Sequence, residues 1–161
     1  MVLSIYQNET MKKLINTFIL TVLLVTNSCT KQPNLGNGYK LISDKNYSLQ
    51  IVNSENTIMV SMHILEYAFD STFIIASQRP WDIPEFTGIK EMTYKKRNET
   101  FKNSSFCQYW IINKKEKCEY SLDSLTQDVR YSNVYGPYNK DDYLKKRKEL
   151  NVSQKLILKE K

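Results

Sequence analysis

Three sets of side chains have the types and spacing to do chemistry. Asp82, Glu85 and Glu91 share one segment with Trp81 and Phe86. Paired carboxylates beside aromatic rings are what glycoside cleavage uses, one acid donating a proton while the other serves as base or nucleophile. Without catalysis, the same segment still offers Trp81 or Tyr94 as a flat apolar platform for a sugar ring. His63 is the only histidine. Lacking a second imidazole, triads and most zinc sites lose their usual parts, so His63 reads as an ordinary residue in or beside a strand. Cys107 and Cys118 are a candidate disulfide in an oxidising compartment. A plain hairpin turning near Lys114-Lys115 sets Cys107 opposite about residue 122, so the bridge needs a bulge or a wider loop. Closing so short a loop would add roughly 2–3 kcal/mol. No C-x-x-C pair occurs, and with four glycines the chain carries no phosphate-cradling motif. The expected complement of metals and cofactors is none.

The third cysteine, Cys29, stands in a different setting. Met11-Lys12-Lys13 is a short positive start, and Leu14 to Val25 is an apolar run broken only by Asn16, Thr17 and Thr21. Thr26-Asn27-Ser28-Cys29 follows. A charged start, a short apolar run and small residues describe a secretory signal. A transmembrane helix needs about 20 apolar residues, more than this run has. A cysteine placed here resembles the lipobox of bacterial lipoproteins. That resemblance implies that Cys29 receives a diacylglyceryl thioether, for which a thiolate is the required nucleophile. Thr26 and Asn27 depart from the usual lipobox residues, and a plain signal peptide with a free Cys29 is the other reading. Residues 1–10 are read as an over-extended start before Met11, and residues 11–28 as the signal. Residues 29–37 read as a tether and 38–161 as one folded domain.

The chain has 161 residues, 23 Lys plus Arg against 17 Asp plus Glu, and a net charge of +6. With 41% hydrophobic residues and 12% aromatics it is too apolar for wholesale disorder. Nineteen of the cations are lysines and only two residues are alanine, the skew that A/T-rich codons produce. The positive balance therefore reads as a solvated surface, with no nucleic-acid partner.

The elements that must position these residues are mostly strands. Tyr39 to Ile42, Tyr47 to Val52, Thr57 to Val60, His63 to Phe69 and Thr72 to Ser77 have strand character, with Asp70-Ser71 as a hairpin turn. Phe73-Ile74-Ile75 is apolar on both faces, as in a central strand. Arg79 to Ser105 carries two prolines, a glycine and many charges, and reads as a long surface excursion. Phe106 to Ile112 returns to strand character, Asn113 to Asn133 reads as loop, and Tyr131 to Tyr135 as a strand ended by Gly136-Pro137. Asn139 caps a helix with Asp141 and Asp142 in its first turn and Lys145 to Lys148 later, a distribution that suits the helix dipole. Leu156 to Leu158 reads as a last short strand. On that helix Arg147 shares a face with Tyr143 and Leu150. It is either a stem snorkelling at the core edge or a buried ion pair or ligand contact.

The C-terminal third resembles a family of small uncharacterised bacterial lipoproteins, a domain of unknown function. The residues that carry this are Tyr109-Trp110-Ile111-Ile112-Asn113, Val134-Tyr135-Gly136-Pro137 and Lys145-Lys146-Arg147-Lys148-Glu149-Leu150. In this chain a longer insertion, about residues 115–132, separates the first two blocks. The resemblance implies location and fold and brings no activity.

Together these readings predict an α+β domain, an antiparallel meander-like sheet of about five to seven strands with one C-terminal helix. The expected function is a non-enzymatic binding or accessory role in the bacterial cell envelope. The membrane is reached through the lipid on Cys29, with an envelope protein or a glycan as partner and Trp81 and Arg147 as candidate ligand contacts. The alternatives are an immunity or inhibitor protein acting against a toxin or hydrolase at the membrane, a glycan-binding module, and a carbohydrate-active enzyme built on residues 82–91.

Overall fold

The computed structural model describes residues 32–43, 48–86, 92–122 and 129–158. Cys29, the signal segment, residues 1–10, the Asp44–Asn46 turn and Glu91 lie outside the described residues.

Among the described residues, ten strands form three antiparallel sheets. The first sheet is a meander of β1 (Asn34–Gly36), β2 (Tyr39–Ser43), β3 (Leu49–Val52) and β4 (Ile58–Val60), in that order. The second contains β5 (Ile64–Phe69), β6 (Phe73–Gln78), β7 (Gln108–Asn113) and β10 (Val134–Tyr138), in the order β10-β7-β6-β5. A separate hairpin pairs β8 (Tyr120–Leu122) with β9 (Val129–Tyr131). Two helices complete the described residues, α1 (Tyr94–Asn103) and α2 (Lys140–Glu149). The α+β class and the C-terminal helix match the sequence reading; the single sheet of five to seven strands does not.

Strand periodicity explains how the layers assemble. Every residue of β6 is buried. Ile74 and Ala76 point into a core shared with Leu35, Leu41, Ile51 and Val60 of the first sheet. Phe73 and Ile75 point the other way, onto Tyr143 of α2 and onto Val152 and Leu156. The central strand is therefore covered on both faces, which is why Phe73-Ile74-Ile75 is a continuous apolar run. Buried Asn133 ties the layers together, its amide donating to the Tyr39 hydroxyl at 2.7 Å and to the Asn113 carbonyl at 3.1 Å.

Turns follow the polar residues placed for them. Asp70 accepts the backbone N–H groups of Thr72 and Phe73, both at 2.7 Å, and so closes the β5–β6 hairpin without a glycine. Asn139 accepts the N–H of Asp142 at 2.9 Å and caps α2.

Five sequence expectations fail for identifiable reasons. Residues 34–36 are a strand and Leu35 is fully buried, so the apolar peg of a nominal tether belongs to the core. The excursion from Arg79 to Ser105 contains a 3₁₀ turn (Pro84–Phe86) and α1. None of the residues of α1 is buried, so its sequence has no apolar stripe to read. Within Asn113–Asn133, the strands β8 and β9 are short and their side chains mostly exposed. Leu156 to Leu158 is not a strand; Arg147 donates to the carbonyls of Ser153 at 2.8 Å and Leu156 at 2.7 Å and straps this irregular tail against α2. The Gly136-Pro137 pair lies within β10 rather than ending it.

Candidate functional site: an aromatic cleft around Trp81

The cleft is built from the β4–β5 loop, the end of β6, the segment that follows it and α1. At its back, Gln78 ends β6 with a side chain only 2% exposed. Its Nε2 lies 2.7 Å from Ser61 Oγ and 3.0 Å from the Met62 carbonyl, while its Oε1 accepts Trp110 Nε1–H at 2.7 Å. The β4–β5 loop is thereby sewn to the sheet. His63, in that loop, has a φ of +69°, a left-handed backbone that costs a non-glycine residue about 1–2 kcal/mol. Its N–H donates to Ser48 Oγ at 2.8 Å, its Nδ1 lies 3.1 Å from the same oxygen, and its carbonyl accepts Arg79 N–H at 3.0 Å. Strain held in place this way is characteristic of functional sites.

The rings converge on this support. Trp81 stacks on His63 at 5.9 Å between centroids and packs on Phe101 at 5.1 Å. Phe101 in turn meets the edge of His63 at 4.8 Å. Residues 79–86 are held by buried Ile83, which is 1% exposed. The C-terminal end of α1 is capped by Arg79, whose guanidinium donates to the Phe101 and Lys102 carbonyls at 3.0 and 3.2 Å. Arg97 lies over the Phe86 ring at 4.9 Å and over Trp81 at 6.0 Å. Besides the packing of Phe101, polar caps and cation–π contacts of about 0.5–1 kcal/mol each position a helix none of whose residues is fully buried.

The resulting cleft has a volume of about 710 Å³ and includes Tyr94, Asn98 and Lys102 in its wall. Trp81 is 45% exposed, Tyr94 76% and Met62 44%, an unusual density of open apolar surface around one depression. None of the described residues lining it is a carboxylate. It offers flat apolar faces together with amide, imidazole and ammonium groups, the combination that binds a ring bearing both C–H faces and hydroxyls.

The other candidates fall elsewhere. Trp81 and Tyr94 are brought into one cleft. Arg147 is not in it; it is the strap of the C-terminal tail, with its guanidinium 5.6 Å above the Tyr143 ring. Asp82 is exposed beside the cleft. Glu85 accepts the Ser104 hydroxyl at 2.5 Å, and that hydrogen bond holds its carboxyl below the usual carboxylate range. A general acid for glycoside cleavage needs the opposite shift. Cys107 and Cys118 are both free thiols; one precedes β7 and the other follows it, and β7 pairs with β6 and β10 rather than with β8. No hairpin between β7 and β8 brings this candidate pair together. Sequence reasoning missed His63 and Phe101, which become cleft residues only through the β4–β5 loop and α1. Among the described residues there is no cluster of three or more His, Cys, Asp or Glu suited to a metal, and no helix long and apolar enough to cross a membrane.

Fold and cleft together define an α+β domain of antiparallel sheets with an aromatic-walled depression. The chain belongs to the family described as "Protein of unknown function (DUF3997)", whose profile matches residues 36–161. No curated protein and no solved structure shows significant similarity to it.

Proposed function

We propose that the protein is an exported lipoprotein of the bacterial cell envelope, anchored by acyl chains on Cys29, whose folded domain is a non-enzymatic glycan-binding module. The observation that carries the binding reading is the cleft itself: Trp81 and Tyr94 stand open on a rigid support, and polar side chains flank them. The anchoring reading rests on the charged, apolar and small-residue order that ends at Cys29. Acyl chains hold a protein at a membrane at about 0.8 kcal/mol per buried CH₂, so the fold need supply no membrane contact and its cleft is left for another ligand.

Binding is tested by co-sedimentation with purified cell-wall sacculi. Wild-type protein should pellet, and Trp81→Ala should lower the affinity tenfold to a hundredfold, the loss expected when about 1.5–3 kcal/mol of apolar contact is removed. Equal pelleting of both proteins would place the contact elsewhere. Anchoring is tested separately with radiolabelled palmitate. Label on wild type and none on Cys29→Ser is the expected result; no label on either would make Cys29 an ordinary cysteine.

A further inference from the structure

The face that α1 turns to the Trp81 cleft carries charge of one sign. Successive helical residues are about 100° apart, so Tyr94, Asn98, Phe101 and Lys102 fall on one side of α1. All four line the cleft. Glu99, the only acid in α1, does not line it. Lys102 is exposed, so a ligand in the cleft can reach its ammonium. Its backbone is held in place. The Lys102 carbonyl accepts the Arg79 guanidinium at 3.2 Å, and adjacent Phe101 packs on both His63 and Trp81. Arg97, over the Trp81 and Phe86 rings, adds a second cation beside the same platform. Asp82 stands exposed beside the cleft, and Glu85 is engaged by the Ser104 hydroxyl. An uncharged sugar gains nothing from an ammonium on a fixed root at the edge of an aromatic platform. An anionic sugar gains a charge-assisted hydrogen bond there.

We propose that the glycan taken by the Trp81 cleft is acidic, one sugar ring lying on Trp81 while a carboxylate on that ring or its neighbour pairs with the Lys102 ammonium. This rests on the reading of the cleft as a glycan site and adds which glycans it selects. Lys102 is then the residue that separates charged from uncharged sugars of the same shape. Half-buried Asn98, one turn before it on the same face, supplies an amide for a hydroxyl or acetamide group. A carboxylate suits this wall better than a phosphate monoester. One ammonium balances a single negative charge, whereas a monoester carries about −1.5 to −2.

Calorimetric titration of the full chain with two tetrasaccharides tests the proposal. One is a neutral β-1,4 oligomer of N-acetylglucosamine. The other alternates N-acetylglucosamine with N-acetylmuramic acid, which keeps the same rings and acetamides and adds a lactyl carboxylate to every second ring. The acidic glycan should bind wild type about fivefold to tenfold more tightly at low ionic strength, and that advantage should shrink as sodium chloride is raised. Lys102→Gln keeps a long polar side chain at an exposed helical position, so the fold is retained. It should bring the acidic glycan to within about twofold of the neutral one and leave the neutral one unchanged. Equal affinity of wild type for the two glycans, or a full acidic preference in Lys102→Gln, would overturn this inference and leave the glycan reading standing. Binding of neither glycan would overturn both.

Discussion

Replacing Gly136 with alanine should cost the domain about 2–4 kcal/mol, as the sum of backbone strain and steric overlap. Gly136 has a φ of +135°, a conformation that side chains oppose. An added Cβ would lie 2.7 Å from the Tyr109 carbonyl oxygen and 2.8 Å from the Trp110 ring. Neither neighbour can retreat freely. Tyr109 is in β7, held between β6 and β10, and its ring stacks on Tyr143 at 4.9 Å. Trp110 is fixed by its hydrogen bond to Gln78. The glycine sits where the β10–β7 register shifts between Tyr135 and Tyr138, so the strand must bend there for both flanking tyrosines to reach the α2 core. Urea unfolding should show a lower midpoint at unchanged slope. A loss below about 1 kcal/mol would mean that β10 shifts as a unit without strain.

The second large effect is expected at Lys114, a lysine only 8% exposed. Its ammonium donates to the Leu35 carbonyl at 2.6 Å and, at short range, to the Asp70 carbonyl, and it lies 5.6 Å above the Phe69 ring. One side chain thus joins β1 to the β5–β6 turn, and Asn37 reinforces the joint by donating to the Lys114 carbonyl at 3.3 Å. Lys114→Met keeps the aliphatic stem but leaves two carbonyls without donors. Each such loss costs about 1–3 kcal/mol, partly offset because the variant buries no charge, so a net loss of about 2–3 kcal/mol is expected. Burial holds the Lys114 amine below its ordinary 10.5, with nearby Asp70 opposing the shift. The folded chain therefore releases this proton at lower pH than the unfolded chain. Over that interval the unfolded state binds more protons, and wild type should gain stability relative to Lys114→Met as pH rises towards 10.5. A stability difference that stays constant or shrinks over that range would mean that the amine is effectively solvated.

The parts of the fold legible in the sequence are those whose signals are local. Asn139 with Asp141 and Asp142 specifies the start of α2, Asp70 specifies its hairpin, and the apolar run at Phe73 specifies a strand covered on both faces. The parts that were not legible depend on contacts distant in sequence. Leu35 is one apolar residue among polar neighbours, and only the close packing of β1 on β2 makes it core. Helix α1 has no buried face, and its position rests on Arg79, Glu85–Ser104 and Arg97, none of which forms a periodic pattern. The cleft shows the same division. Trp81 and Tyr94 stood out as aromatics in a polar, proline-containing segment, which no core periodicity explains. His63 and Phe101 carried no such mark, because their role arises from a left-handed turn and from the end of α1.

The central claim is that the Trp81 cleft receives a glycan, and the two tryptophans allow it to be read atom by atom. Trp81 is half open in the cleft, whereas Trp110 Nε1–H is engaged by Gln78 behind it. In a titration with a soluble cell-wall oligosaccharide followed by ¹H–¹⁵N NMR, the Trp81 indole signal should shift saturably, together with the backbone amides of Tyr94 and Asn98, while the Trp110 indole moves little. Two indole signals that stay fixed through saturating oligosaccharide, or shifts confined to the face carrying α2, would contradict it.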